Sequence, residues 1–365
     1  MLTKIVLILG LASLSLTAVG STKAQTDTGQ EVDKVLEAQR AAQKIPGVSI
    51  AVCREGKIVK AAGYGLANVE LNVAATPETI YQTGSVGKQF AAMAVMILVE
   101  EGKLSLDDKI SKYIDATPPA WSGITVRHLL THTSGIPDYA GDVGPLGNQV
   151  IDLRQDYTEE QLVAAFTKMP MDFAPGEKWS YSNTGYALLG IIIRRVTGAF
   201  YGDVLQEHIF RPLGMTSTRI ISEADIVPNR SSGYRLVDGQ LKNQEWVSPT
   251  LNTTADGALY TSVLDLAKWD AALDARKFLK PSSYDAMWSP VKLNNGKTYP
   301  YGSGWFLSDE NGKKVVSHDG AWQGFTMNIT RHLHERLTVI VMTNLDSDHS
   351  HPEKIAEDVA KIYLK

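Results

Sequence analysis

Segments with the character of β-strands lie near both ends of this chain, and the residues between them read mainly as helices. The first strands are predicted at 48–53 and 58–63, and the last at 314–317, 326–332 and 337–344. Strands and helices that segregate along a sequence are typical of an α+β architecture, whereas parallel sheets alternate them. We therefore predict one antiparallel sheet, completed by both ends of the chain and flanked by helices.

The middle of the chain, about residues 81–254, predicts a mainly helical lobe. Its apolar residues recur at helical spacing in the segments 90–99, 126–133, 158–168 and 185–196. Two long loops are also predicted in this part of the chain, around 136–157 and 222–250. We expect both loops to shape a substrate pocket.

The rest of the mature chain is expected to form an α/β lobe from about residues 25–80 and 255–365. A polar, periodic segment predicts a first helix at 25–44, and a closing helix is predicted at 359–364. We see no internal repeat. Residues 25–365 are therefore predicted to be a single domain of two lobes.

The first 24 residues have the pattern of a secretory signal peptide. Lys4 precedes an uncharged apolar run from Ile5 to Val19, and small residues follow up to Ala24, where we expect cleavage. The run is 15 residues long, whereas a helix that spans a bilayer needs about 20. We therefore predict export to the periplasm or the medium, and a mature form without a stable membrane span.

Charge and cysteine content narrow the expected partners. The formal charge is −4 for the whole chain, and it becomes −6 when Lys4 and Lys23 leave with the first 24 residues. A mildly acidic chain without a basic block has no electrostatic attraction for nucleic acid, so a small molecule or peptide is the expected partner. Cys53 is the one cysteine, so it forms no intrachain disulfide and is expected to be a buried thiol.

Ser85 and Lys88 form the first candidate catalytic pair. Residues three apart on a helix share one face, and a hydroxyl in the first turn lies near the positive end of the helix dipole. Burial would lower the pKa of the lysine, so that its neutral amine could accept the serine proton. The same spacing recurs in Ser289 and Lys292, where a turn would leave the lysine exposed. The alternative for Ser85 is a helix-capping serine beside a surface lysine.

Tyr181 and Asn183 form the second candidate, on a loop just before the apolar helix predicted at 185–196. We expect a neighbouring ammonium to favour the phenolate of Tyr181, which would suit it for moving protons. The amide of Asn183 can bind a substrate carbonyl. Alone, the triplet also fits a turn asparagine beside a packing tyrosine.

His318, Asp319 and Gly320 form the third candidate, at the end of the strand that begins near residue 314. A glycine at this place lets a ligand approach the backbone closely. The N–H of Ala321 could then join that of Ser85 as an oxyanion hole. Alone, the triplet also fits an ordinary turn at a strand end.

Together, and in this order, the segments 85–88, 181–183 and 318–320 resemble the three motifs of the class C β-lactamase and serine DD-peptidase superfamily. That superfamily also includes penicillin-binding proteins. The segment 129–137, Leu-Leu-Thr-His-Thr-Ser-Gly-Ile-Pro, is similar to it as well. The resemblance covers roughly residues 30–345.

The resemblance implies a β-lactamase/transpeptidase-like fold with the site between an α/β lobe and a helical lobe, and it implies no cofactor and no metal. Ser85 would be the nucleophile, Lys88 its partner and Tyr181 the proton shuttle. Asn183 and His318 would bind substrate. The expected function is that of an exported serine hydrolase acting through an acyl-enzyme, similar to a D-alanyl carboxypeptidase or peptidase, or to an esterase.

His318 stands where β-lactamases of this type carry a lysine. An ammonium holds a substrate carboxylate at physiological pH, whereas an imidazole is mostly neutral above its pKa. Histidine occurs here in DD-peptidase-like and esterase-like relatives. β-Lactamase activity therefore stays an alternative to the peptidase or esterase.

Three other functional classes fit the sequence less well. An α/β-hydrolase needs Gly-x-Ser-x-Gly, and its nearest approach, 47–51, lies within a predicted strand. Asp346, Asp348, His349 and His351 are metal-ligand types, but they crowd a polar segment that reads as a solvated loop. A non-catalytic sensor of β-lactams or peptidoglycan fragments could share this fold, although all three motifs are intact.

Overall fold

A computed structural model describes residues 16–140, 150–220 and 224–365 of the chain. Residues 1–15 of the predicted signal segment, and parts of both predicted long loops, lie outside these ranges. The α-helices within the ranges are α1 (Leu16–Ala42), α2 (Lys88–Glu100), α3 (Val126–Leu130), α4 (Glu159–Phe166), α5 (Asn183–Thr197), α6 (Tyr201–Leu205), α7 (Arg211–Leu213), α8 (Val263–Asp274), α9 (Pro281–Met287) and α10 (Pro352–Tyr363). The strands are β1 (Gly47–Arg54), β2 (Lys57–Asn68), β3 (Val73–Ala74), β4 (Tyr81–Gln82), β5 (Arg219–Ile220), β6 (Tyr234–Val237), β7 (Gln240–Asn243), β8 (Leu259–Thr261), β9 (Val291–Lys292), β10 (Thr298–Tyr299), β11 (Phe306–Glu310), β12 (Lys313–Trp322), β13 (Phe325–His332), β14 (Leu337–Thr343) and β15 (Leu345–Asp346).

The main sheet is antiparallel, and its strands run in the order β11-β12-β13-β14-β1-β2-β3. Both ends of the chain meet in its centre, where β1 pairs with β14 and Ile50 lies opposite Val341. The predicted α+β class and the sheet completed by both chain ends are therefore confirmed. The site lies beside β12, near one edge of this sheet.

The side chains of β1 alternate between two apolar clusters, and this shows that helices cover both faces of the sheet. Val48, Ile50 and Val52 pack in the cluster that also contains α1 and α10. Ala51 and Cys53 belong to the larger cluster on the opposite face, which includes α8 and the helical lobe. Because successive side chains on a strand point to opposite faces, this division buries almost every residue of β1. Cys53 is a buried free thiol, as expected.

Helices α2 and α5 form the centre of the helical lobe. Most residues of both helices are buried, as expected for helices that are apolar on nearly all sides. The ring of Phe90 in α2 lies 4.5 Å from that of Trp269 and 5.4 Å from that of Phe210, between ring centroids. Packing around α2 thus fixes the 3₁₀ turn Gly84–Gly87, which directly precedes it.

A β-hairpin occupies part of the segment that we expected to be a loop at 222–250. Strands β6 and β7 pair around Asp238 and Gly239, whose φ angles are +52° and +73°. Two positive φ angles are those of a type I′ turn, for which Asp-Gly is a favoured pair. The prediction missed this hairpin because β7 is polar and exposed, so it lacks the apolar alternation of a half-buried strand.

The first helix starts inside the predicted signal segment. Helix α1 begins at Leu16 and ends at Ala42, so it is longer than the helix expected at 25–44. Within the described ranges, no helix combines the length and the apolar character needed to cross a bilayer. Cleavage after Ala24 stays a prediction.

Candidate active site

Ser85 lies in the 3₁₀ turn that leads into α2. The turn begins at Gly84, whose φ of +52° is in the left-handed region that favours glycine. Ser85 is partly exposed, whereas the other residues of the turn are buried. Ser85 is therefore accessible to solvent, and it lies close to the N-terminal end of a 13-residue helix.

Lys88 is fully buried, so the alternative of a surface lysine is wrong. Its Nζ donates hydrogen bonds to Ser85 Oγ at 2.9 Å, to Asn183 Oδ1 at 2.6 Å and to the Asp256 carbonyl oxygen at 2.5 Å. The amide orientation of Asn183 follows from its other contact, because Nδ2 donates to Asp138 Oδ2 at 2.9 Å. Lys88 thus has three acceptors, of which only the serine can also donate a proton.

Burial lowers the pKa of Lys88 from its usual 10.5 to about 8. Desolvation is the dominant cause because it penalises the charged amine. The negative charges of Asp256, Asp138 and Asp319 act in the opposite direction. A substantial fraction of Lys88 is therefore neutral near physiological pH.

Tyr181 lies over the same lysine. Lys88 Nζ is 4.9 Å from the centroid of the Tyr181 ring. The Tyr181 hydroxyl is buried and makes no hydrogen bond of good geometry within the described ranges. Burial raises its pKa well above 10, although the neighbouring Ser85 hydroxyl acts in the opposite direction. The expectation that the ammonium would favour the phenolate is therefore wrong for the free site, where Tyr181 is a neutral phenol.

Asn183 begins α5 and faces both the lysine and a carboxylate. Its Oδ1 accepts from Lys88, while its backbone N–H and Nδ2 donate to the two carboxylate oxygens of Asp138. The amide group is thus fixed from three directions. One hydrogen on Nδ2 is left for a substrate carbonyl, because the amide carries two.

Strand β12 brings Gly320 and Ala321 against the serine turn. It pairs with β11 only as far as Ser317, and beyond that point its backbone lies beside Ser85. A Cβ atom on Gly84 would lie 2.7 Å from the Ala321 nitrogen. The backbones of Ser85 and Ala321 are thus near neighbours, as two donors to one oxyanion must be.

His318 is only 1% exposed. Its Nδ1 lies 2.6 Å from the Asp319 carbonyl oxygen, and its Nε2 lies 3.1 Å from the Tyr301 hydroxyl. Burial and the charge of Lys88 lower the pKa of His318 to about 4, against the effect of Asp319. Direct binding of substrate by His318 does not fit this arrangement, because both ring nitrogens are already engaged within the protein.

Sequence reasoning missed several groups that surround the lysine. Asp138 holds Asn183, and the carbonyl of Asp256 accepts from Lys88. Tyr139 donates from its hydroxyl to Asp256 Oδ2 at 2.9 Å. Asp138 directly follows the segment 129–137, so its position in the sequence could have indicated a role in the site. No neighbouring motif indicates such a role for Asp256.

The geometry thus brings Ser85, Lys88, Tyr181 and Asn183 together, with Ala321 beside them. It combines a hydroxyl, a buried amine of lowered pKa and a neutral phenol next to two backbone donors. Such a set can form a covalent bond to a carbonyl carbon and stabilise the negative oxygen that results. Acyl transfer is the chemistry that these groups share.

Comparisons with known proteins agree with this chemistry. The model of the β-lactamase family matches residues 32–363. Penicillin-binding protein 4* of Bacillus subtilis (strain 168) is 31% identical over 314 residues, which cover 82% of this chain and 68% of that protein. The chain thus spans about two-thirds of the length of that relative.

Two solved structures are similar over most of the chain. The octameric penicillin-binding protein homologue from Pyrococcus abyssi superposes with a TM-score of 0.79 at 34% identity, covering 92% of this chain and 77% of that one. A D-stereospecific amidohydrolase from Streptomyces sp. superposes with a TM-score of 0.73 at 25% identity, covering 90% and 97%.

Proposed function

This chain belongs to the β-lactamase family, whose members are serine hydrolases, and we propose that it is an exported hydrolase that forms an acyl-enzyme on Ser85. Its substrate is an amide or peptide bond next to a D-residue, as in a D-alanyl peptide, or an ester. No cofactor takes part in the proposed reaction.

The contact between Lys88 and Ser85 carries this proposal. A neutral lysine amine has two hydrogens and one lone pair. The carbonyl oxygens of Asn183 and Asp256 can only accept, so they take both hydrogens. The lone pair then faces Ser85 Oγ at 2.9 Å, where it can accept the hydroxyl proton.

Acylation follows from this arrangement. Lys88 takes the proton of Ser85 as Oγ attacks the carbonyl carbon, and the backbone N–H groups of Ser85 and Ala321 hold the negative oxygen. The neutral Tyr181 phenol donates its proton to the leaving nitrogen or oxygen as that bond breaks. The proton on Lys88 then replaces the one that Tyr181 has given, so both groups return to their starting state.

Deacylation reverses the roles. A water molecule attacks the ester carbon, and its proton passes through Tyr181 and Lys88 to Ser85 Oγ as the acyl bond breaks. The same proton thus passes between the amine and the phenol in both half-reactions. The net reaction adds one water across the scissile bond.

The uncharged third motif favours the candidate substrates without a free carboxylate, which are the ester and the amide. His318 has a pKa of about 4, so it is neutral at physiological pH and offers no cation to a substrate carboxylate. The D-alanyl candidate is supported by the relatives, which are a penicillin-binding protein, a penicillin-binding protein homologue from another organism and a D-stereospecific amidohydrolase. The ester candidate draws on the neutral imidazole, and β-lactamase activity stays an alternative.

Export is the part of the proposal that rests on sequence alone. The signal pattern in residues 1–24 supports transfer across a membrane, followed by cleavage after Ala24. Amino-terminal sequencing of the protein recovered from the periplasm or medium tests this. A chain that begins before Ala24, or that stays with the cytoplasmic fraction, would contradict it.

A turnover panel tests the hydrolase. Purified mature protein is given a D-alanyl dipeptide, a D-amino-acid amide, a short-chain nitrophenyl ester and nitrocefin. Ser85→Ala should reduce turnover by at least about 10³-fold and abolish the covalent adduct seen by mass spectrometry. Ser289→Ala is the matched control, because Ser289 belongs to the exposed second copy of the Ser-x-x-Lys spacing and donates to the Asp285 carbonyl.

Each pattern of results separates the candidates. Turnover of nitrocefin alone would favour the β-lactamase, and a stable adduct without turnover would favour the sensor. Undiminished turnover in Ser85→Ala would remove the proposed mechanism.

A further inference from the structure

A buried series of hydrogen bonds links the second motif to the third. His132 Nδ1 accepts from the Ser182 backbone N–H at 3.1 Å, and its Nε2 lies 3.2 Å from the Tyr301 hydroxyl. The same hydroxyl lies 3.1 Å from His318 Nε2, and His318 Nδ1 lies 2.6 Å from the Asp319 carbonyl oxygen. Tyr301 is fully buried and both imidazoles are 1% exposed, so these hydrogen bonds are shielded from solvent.

The two outer contacts fix the direction of every hydrogen bond. Nδ1 of His132 accepts, so the proton of this neutral ring is on Nε2 and points to Tyr301. The Asp319 carbonyl can only accept, so the proton of His318 is on Nδ1 and its Nε2 is an acceptor. Tyr301 therefore accepts from His132 and donates to His318. The Tyr186 hydroxyl also lies near that of Tyr301, but it donates its own proton to the Leu130 carbonyl oxygen at 2.8 Å.

This series of hydrogen bonds joins the second and third motifs, which have to face each other in the active site. Ser182 lies between Tyr181 and Asn183 on the second motif, whereas His318 lies three residues before Ala321 on strand β12. The imidazole of His132 also packs against the Tyr181 ring, with 4.3 Å between centroids and 33° between the ring planes. The backbone of His132 has a φ of +57°, which is uncommon for a residue other than glycine.

We propose that Tyr301 is a positioning residue: its hydroxyl bridges the imidazoles of His132 and His318, fixes both tautomers, and so holds the loop of Tyr181 in register with the strand of Ala321. The proposal rests on the proposed function, because the two groups that it aligns are the proton shuttle and one oxyanion donor. It also gives His318 a supporting role in place of a direct contact with substrate.

Removal of the bridging hydroxyl has a defined consequence. Tyr301→Phe keeps the ring and its packing but leaves the Nε2–H of His132 and the Nε2 of His318 without a partner in a dry interior. Either ring can then rotate or change its tautomer, and the loop and the strand lose their common support. A displacement of about 1 Å between catalytic groups can reduce a rate by up to about 100-fold.

Nitrogen NMR of the free protein tests the bridge directly. With ¹⁵N-labelled histidine, wild-type protein should show His132 protonated on Nε2 and His318 protonated on Nδ1. Tyr301→Phe should shift the Nε2 resonances of both rings. The opposite tautomer of either ring in the wild-type protein would overturn the bridge, and this measurement needs no substrate.

Kinetics test the positioning role. Tyr301→Phe should lower kcat by roughly 10- to 100-fold, with a much smaller change in KM. Tyr299→Phe is the matched control, because it removes the hydroxyl of a half-buried tyrosine two residues away that stacks on Trp179; it should leave kcat within about twofold of the wild type. A folded Tyr301→Phe protein with wild-type kcat would overturn the proposal.

The two readouts separate this proposal from the proposed function. Wild-type protein that turns over none of the four substrates, but shows the expected tautomers, would overturn the hydrolase and support the bridge. Active wild-type protein with the opposite tautomers would do the reverse.

Discussion

Gly320 and Ser85 are in direct backbone contact. A Cβ atom on Gly320 would lie 3.1 Å from the Ser85 nitrogen and 2.0 Å from the Thr83 carbonyl oxygen. The requirement for glycine here is one of space, because even a methyl group would push β12 away from the serine turn. The third motif thus sets the distance between the nucleophile and the second oxyanion donor, Ala321.

Gly320→Ala should therefore separate Ser85 from Ala321. We expect the free energy of unfolding to fall by about 1–3 kcal/mol, the usual range for overpacking, and kcat to fall about 10- to 100-fold. Urea unfolding and kcat check both effects. Gly123→Ala is the control, because its Cβ would make an ordinary contact of 3.5 Å with Pro175; unchanged kcat in Gly320→Ala would contradict the close approach.

The pH dependence of acylation should follow the amine of Lys88. Only the neutral amine accepts the serine proton, and the pKa of Lys88 is about 8, so kcat/KM should rise with pH and level off above about 8. Tyr181 should add no falling limb below pH 10, because burial raises its pKa well above that value. A profile that is flat between pH 6 and 9 would argue against Lys88 as the base.

Lys88→Arg should be inactive although it keeps a positive charge. A guanidinium stays protonated in proteins, so it cannot accept the serine proton. Turnover of the preferred substrate should fall by at least about 10³-fold, as for loss of a member of a catalytic set. Lys292→Arg is the control in the exposed second copy of the motif, and it should keep full activity.

Asp138→Asn should move the rising limb of the pH profile to lower pH. The carboxylate of Asp138 raises the pKa of Lys88, so its neutral replacement lets desolvation lower that pKa further. Asp115→Asn removes an exposed carboxylate and should leave the limb in place. A shift to higher pH in Asp138→Asn would show that the charge of Asp138 does not act on Lys88.

A buried ion pair offers a separate test of stability. Asp270 on α8 accepts from Arg331 Nε at 2.8 Å, and both side chains are at most 5% exposed. Asp270→Ala would leave Arg331 as an unpaired buried charge, which costs about 3–5 kcal/mol. Asp274→Ala breaks the neighbouring pair with the half-exposed Arg336 and should destabilise the protein far less, because water screens an exposed ion pair. Equal losses in urea unfolding would contradict this difference.

Much of the fold could be predicted from the sequence, because short local patterns of apolar residues determine its strands and helices. The apolar run 48–53 predicted a strand, and the strongly apolar residues 187–193 predicted a buried helix. The hairpin around Asp238 and Gly239 was missed because its outer strand is polar, although its turn sequence was a usable signal.

The candidate site likewise has features that the sequence predicts and features that it does not. Ser85 and Lys88 are three residues apart, so one turn of backbone fixes their relation and the sequence predicts it. The charge of Tyr181 was predicted wrongly, because the expectation considered the nearby ammonium and not the loss of hydration on burial. Burial is a property of everything that packs around a residue, and no short segment reports it.

By itself the sequence determined which residue types stand at the three motifs, the segregation of strands and helices, and hence the family of the chain. The tertiary structure alone decided that Asp256 offers its carbonyl to Lys88 and that Tyr301 stands between His132 and His318. These partners are separated by 168, 169 and 17 positions. A hydrogen bond depends on distances of about 3 Å between atoms, and over such separations only the packed fold fixes those distances.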